Sequence, residues 1–160
     1  MKYPDIALVL DADIFYYEEM LSILQQHHHI VCTPHPKEFQ SLLKITMKIE
    51  LSIEEIRKRK LELIRIFCRR YENVVLIVKD CNSCIGCNRN IFVNSEGSPA
   101  LAKAGTGDVL AGLVAALLSQ GYSALQACIT ASLAHAFAGK NIPNNYSLTA
   151  SELIEKVAKL

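Results

Sequence analysis

Three short runs of this chain are apolar at every position, and each ends abruptly in polar residues. Ile6-Ala7-Leu8-Val9-Leu10 gives way to Asp11-Ala12-Asp13, Ile30-Val31-Cys32 to Thr33-Pro34-His35-Pro36, and Val74-Val75-Leu76-Ile77-Val78 to Lys79-Asp80. Short unbroken runs of this kind predict strands covered on both faces, as in a parallel sheet. Between them the period changes to that of helices. One is predicted over residues 15–26. Another has Pro36 in its first turn and runs through Phe39, Leu42 and Leu43. Ser52-Ile53-Glu54-Glu55 fits a capping box and opens a long helix to about Arg70, with Ile53, Ile56, Leu63, Ile64 and Phe67 on its apolar face. Its other face carries Arg57, Lys58, Arg59 and Lys60, which reads as a solvated charge run.

Residues 83–85 and 90–93 read as a hairpin around 86–89. Two helices rich in small residues follow, over 107–119 and 123–138. Asn144-Asn145-Tyr146 reads as a loop, and a last helix starts near Thr149, with Glu152 completing its cap. Strands alternating with helices predict an α/β fold with a mainly parallel central sheet flanked by helices. At 160 residues, one domain over 1–160 is expected.

Open sheets of this kind bind ligands beyond the carboxyl ends of their strands. Asp11, Asp13, Thr33, His35 and Lys79 all fall at such ends. Ala104-Gly105-Thr106-Gly107-Asp108 adds a glycine-rich turn before an apolar helix. Free amides at a helix start, approached through glycine, suit a phosphate or a developing oxyanion. Asp108 there is either a general base or phosphoryl acceptor, or a plain cap on a tight loop.

Composition excludes more than it selects. A net charge of +1 gives no reason to expect nucleic acid. No apolar stretch reaches the ~20 residues of a membrane span. No export signal precedes the first strand, so the six cysteines are expected to be reduced in a cytoplasm. Cys81, Cys84 and Cys87 have the spacing of part of an iron–sulfur or zinc site. Period three along a strand does not put three side chains on one face, and a fourth ligand is not evident nearby. Ordinary hairpin residues are expected, and no metal ligand is assigned. His27-His28-His29 reads as a cationic run at a helix end, and His135 as a satisfied, half-buried histidine.

Five stretches in order resemble the NAD(P)H-hydrate dehydratase family of the ribokinase-like superfamily. Leu10-Asp11-Ala12-Asp13 looks like its LDAD strand end, and Thr33-Pro34-His35-Pro36-Lys37-Glu38-Phe39 is similar to its TPHPGEF signature. Lys79 resembles the lysine of its VLKG element. Val93-Asn94 with Gly105-Thr106-Gly107-Asp108-Val109-Leu110-Ala111-Gly112 is similar to its VN…GSGDVLAG block, and Leu148-Thr149-Ala150-Ser151-Glu152-Leu153-Ile154 to its LTASDLI ending.

The resemblance implies a ribokinase-like fold and repair of hydrated NADH or NADPH, coupled to hydrolysis of ADP or ATP with Mg2+. It implies Asp108 as the catalytic residue and an anion hole of Gly105, Thr106 and Gly107. It implies nucleotide contacts at Lys79, Asp80, Cys81, Asn82, Ser83 and Gly107, and substrate contacts at His35 and Asp108. Asp11, Asp13, Glu38 and Asn94 are implied as a supporting or metal–water shell, and a homo-oligomer is expected. A vitamin-precursor kinase of the same superfamily, or an inactive nucleotide-binding fragment, are the alternatives. Three departures stand out. The chain starts at the LDAD strand, so the amino-terminal part of the family's domain is expected to be lacking, with an unpaired sheet edge where it belongs. Asp80 stands where the family usually has glycine, and a carboxylate near phosphate needs a cation or must turn away. Thr106 replaces serine and keeps the hydroxyl.

Overall fold

The structure, a computed structural model, describes residues 6–140, 142 and 148–160. The expected loop at Asn144-Asn145-Tyr146 lies outside the described residues. Strands β1 (Leu8–Leu10), β2 (Ile30–Cys32) and β3 (Val74–Val78) pair in parallel. Strands β4 (Ser83–Cys87) and β5 (Asn90–Asn94) form the antiparallel hairpin that completes a five-stranded sheet in sequence order. β5 returns to the direction of β3, so only β4 runs against the rest.

Side chains alternate across a strand, and the sheet uses both sides. Val74, Leu76 and Val78 join Phe39, Leu42, Leu43, Ile64 and Phe67 in one core. Helices α1 (Met20–Gln26), α2 (Pro36–Met47), α3 (Ile53–Lys58) and α4 (Lys60–Arg70) belong to that layer. Val31, Val75, Ile77 and Ile85 face the other way, onto Leu110, Val114, Ala127, Cys128 and Ala131. These come from α5 (Thr106–Ser119) and α6 (Ala124–Lys140). Helix α7 (Ala150–Val157) closes a third, smaller cluster through Leu153, and the Thr149–Glu152 capping box is present at its start.

Three elements differ from the pattern read in the sequence. The buried strand expected over 6–10 is three residues long and half-buried, because β1 ends the sheet and has a neighbour on one side only among the described residues. The helix expected over 15–26 is a 3-10 turn, Ala12–Tyr16, followed by α1. Tyr16, Tyr17, Glu18 and Glu19 are all exposed, so no apolar face spans that stretch. The long helix from Ser52 breaks at Arg59, which leaves helical geometry (φ −103°, ψ 16°) while its guanidinium pairs with Glu62.

Candidate functional site

Backbone hydrogen bonds stitch the carboxyl ends of the parallel strands together. The Thr33 amide donates to the Leu10 carbonyl at 3.0 Å, and the Lys79 amide to the Pro34 carbonyl at 2.8 Å. Asp11, His35 and Lys79 thereby emerge side by side. The Lys79 ammonium donates to Asp11 Oδ1 at 2.5 Å and lies 3.9 Å from Glu38 Oε2. Glu38 is itself buried and accepts the His35 amide at 2.7 Å.

His35 is the N-cap of α2. Its Nδ1 accepts the amides of Lys37 (3.2 Å) and Glu38 (3.1 Å), and Glu38 answers from N3 in a reciprocal box. An acceptor Nδ1 fixes the tautomer: the ring proton sits on Nε2, which lies 3.2 Å from Glu38 Oε1.

The glycine turn meets this cluster. Gly105 is the N-cap of α5 with φ +85°, a left-handed conformation that glycine adopts without strain. A Cβ added at Gly107 would stand 3.2 Å from Lys79 Nζ and 3.8 Å from Asp11 Oδ2. The main chain of the turn therefore lies against the ammonium. Asp108 follows in the first turn of α5 and is exposed.

Thr106, expected in the anion hole, has partners within the turn. Its amide donates to the Lys103 carbonyl at 3.3 Å, and its buried hydroxyl lies 2.7 Å from the Leu101 carbonyl and 2.8 Å from that of Lys103. Gly107 and Asp108 are left to offer amides outward. His135 on α6 holds this turn from behind: its Nε2 donates to the Thr106 carbonyl at 2.8 Å. Burial pushes the His135 pKa down, and the Lys79 charge adds to that, while the Thr106 bond opposes it.

A cavity of about 860 Å3 opens beside the turn, within the size range of small-molecule sites. Lys79, Asp80, Cys81, Asn82 and Ser83 form one wall, and Thr106, Gly107 and His135 another. Leu101 and Leu110 supply apolar lining, and His35 and Asn94 also border the space. Asp11 and Glu38 stand behind Lys79 rather than in the wall, and Asp13 is exposed on the 3-10 turn. Asn94 borders the cavity with its side chain already hydrogen-bonded. Its Nδ2 donates to the Ser132 carbonyl and hydroxyl, both at 2.9 Å, and its Oδ1 accepts the Glu96 amide at 3.0 Å.

The charge run on the helix does not read as one solvated face. Lys60 turns inward and donates to Asp80 Oδ2 at 3.2 Å and the Asn82 carbonyl at 3.0 Å, while Arg57, Lys58 and Arg59 are exposed. Asp80 has thus met a cation. Sequence reasoning missed Lys60, and also the role of Ser132; the unexplained carboxylate at Asp80 was the signal that a cation should be near.

The three closely spaced thiols do not converge. Cys84 packs into the core on one face of the sheet, Cys87 against the core on the other, and Cys81 is exposed in the cavity wall. Among the described residues no cluster of three His, Cys, Asp or Glu side chains could hold a metal ion, and no helix is long and apolar enough to cross a membrane.

Residues 2–159 match the family model described as NAD(P)H-hydrate dehydratase. The chain is 50% identical over 160 residues to the bifunctional NAD(P)H-hydrate repair enzyme Nnr of Helicobacter pylori, covering 99% of this chain and 34% of that protein. It is 26% identical to the ADP-dependent (S)-NAD(P)H-hydrate dehydratase of Neisseria meningitidis, covering 98% of this chain and 52% of that one. The chain thus spans about a third to a half of the length of these relatives. Its fold superposes on a Bacillus subtilis ADP/ATP-dependent NAD(P)H-hydrate dehydratase co-crystallised with ATP/Mg2+, with a TM-score of 0.70 and 24% identity over 81% of this chain and 46% of that one.

Proposed function

The chain belongs to the NAD(P)H-hydrate dehydratase family, and from that premise we propose that it dehydrates hydrated NADH or NADPH back to NAD(P)H, coupled to hydrolysis of ADP or ATP. The observation that carries this reading is the meeting of Gly107 with Lys79 and Asp11 at the edge of the cavity. A backbone turn and a cation paired with a carboxylate meet there, beside a space with apolar lining.

In this reading the hydroxyl on the hydrated nicotinamide ring is a poor leaving group, and phosphoryl transfer from the nucleotide makes it a good one. Asp108, exposed at the helix start, accepts the hydroxyl proton. The amides of Gly107 and Asp108, with Lys79, face the charge on the transferring group. Lys79, Asp80, Cys81, Asn82 and Ser83 hold the nucleotide, Asp80 through its main chain because its carboxylate is taken by Lys60 and the Cys81 amide, and Leu101 and Leu110 shield its base from water. His35 contacts the substrate with a ring held by the helix cap and by Glu38. Asp11, Glu38 and Asp80 each already have a cation or amide partner. That donor set fits a Mg2+ held on the nucleotide's phosphates with its waters, where it would offset their charge, and not an all-protein cage.

Residues 1–160 are taken as one ribokinase-like domain. We assign the protein to the cytoplasm, supported by six free thiols, and to a homo-oligomer, supported by Leu133 and Phe137 exposed along α6. Asp108→Asn is expected to abolish recovery of NADH from its hydrate while ADP binding, measured by calorimetry, persists. Full turnover in that variant would remove Asp108 from the chemistry.

A further inference from the structure

The loop after β3 carries a carboxylate into the wall of the cavity read above as the nucleotide site. Asp80 Oδ1 accepts the neighbouring Cys81 amide at 2.9 Å, and Oδ2 accepts Lys60 Nζ at 3.2 Å. Lys60 reaches it from the first residue of α4, twenty positions earlier in the chain, and the same ammonium donates to the Asn82 carbonyl at 3.0 Å. The two side chains are only 14% and 22% exposed, so water screens the pair poorly. Burial alone would push the Asp80 carboxyl up. The Cys81 amide and Lys60, with a further contribution from the Arg57 charge, outweigh it and hold the group below the usual carboxylate range.

The loop is also fixed from its other side. A Cβ at Gly97 would stand 2.5 Å from the Cys81 carbonyl oxygen, so the segment after β5 packs directly on it. Lys60 does not itself line the cavity. Its effect on a ligand must pass through Asp80 and Asn82.

We propose that Lys60 is a positioning residue of the nucleotide site: its ammonium neutralises Asp80 and ties down the loop at 80–83, so that a wall carrying a carboxylate can face an anionic nucleotide. The proposal rests on the nucleotide reading of the cavity. Lys60 gives the break at Arg59 a use, since it separates the one inward cation from three that stay in solvent.

The test is calorimetric ADP binding to the full chain as wild type, Lys60→Met, Lys60→Arg, Asp80→Asn and the Lys60→Met/Asp80→Asn double variant, each at low and moderate salt. Lys60→Met is expected to weaken ADP binding about tenfold, the scale of leaving a charged partner unpaired. The loss should be larger at low salt, where the bare Asp80 repels phosphate over a longer range. Asp80→Asn should restore most of the affinity in the double variant, and Lys60→Arg should keep most of it. A generally loosened fold would show neither rescue nor salt dependence. Unchanged ADP affinity in Lys60→Met, or a loss that Asp80→Asn does not relieve, overturns the role of Lys60. A wild-type chain that binds no ADP overturns the nucleotide reading itself, and the role falls with it.

Discussion

At His135 one hydrogen bond joins α6 to the turn that opens α5. The ring must donate from Nε2, and its burial disfavours a second proton. The unfolded chain, with an ordinary histidine pKa of about 6.5, therefore takes up a proton before the folded one does. The sign follows: this contribution to stability is present above about pH 6.5 and is lost as pH falls below it. The melting temperature is expected to drop between about pH 7 and 5. His135→Gln keeps an N–H donor but cannot protonate, so it should flatten that part of the profile. A pH profile identical to that of the wild type would contradict the assignment. His35 illustrates a different economy of groups. The residue expected to touch substrate also caps a helix, and the cap dictates the tautomer of its ring. The motif makes a histidine at this place legible in the sequence; its second task depends on Glu38 folding back, which no residue type announces by itself.

Among the elements, β4 lies directly against α4 at Gly86. A Cβ at Gly86 would collide with Ile64 Cγ2 and stand 2.7 Å from Cys68 Sγ, both buried on α4. Gly86→Ala should cost about 1–3 kcal/mol by overpacking, read as a lower denaturant midpoint with an unchanged slope. A midpoint equal to wild type would mean that α4 has room to move. Strands β2 and β3 are legible in the sequence because a strand covered on both faces leaves its run unbroken by polar residues. The run at β1 carries the same signal, yet the strand is short and half-buried, since composition does not reveal which strand ends a sheet. The helix from Ser52 shows another blind spot. Its apolar spacing continues through Arg59, so the sequence does not mark the break, and the inward turn of Lys60 depends on a partner in a distant loop.

For the whole molecule, the cavity matters because its walls come from both sides of the sheet's end. The loop at 79–83 follows a strand, while Thr106, Gly107, Ser132 and His135 belong to α5 and α6. A ligand seated there binds the folded state alone. ADP at about a hundred times its dissociation constant should add about 2.7 kcal/mol, a rise of roughly 5–10 °C in melting temperature for a chain of this size. Amide hydrogen exchange should slow both at 79–83 and at 132–136, and slowing at one wall alone would contradict a ligand spanning the cavity. The order of the motifs makes this convergence legible, because strand ends of a parallel sheet share one edge. The depth of the space does not follow from motif order, since Leu101 and Ser132 enter through packing. The pairing of Lys79 with Asp11 also bears on what can settle beside Gly107. The ammonium there already faces two carboxylates, Asp11 in contact and Glu38 at 3.9 Å, so an incoming anion meets a charge that is already balanced. The incoming anion and these carboxylates then share a single cation. A singly charged species meets an equal rival, whereas a doubly charged phosphoryl group holds the advantage. With Asp11 in place, phosphate is expected to outcompete chloride and small carboxylates beside Gly107.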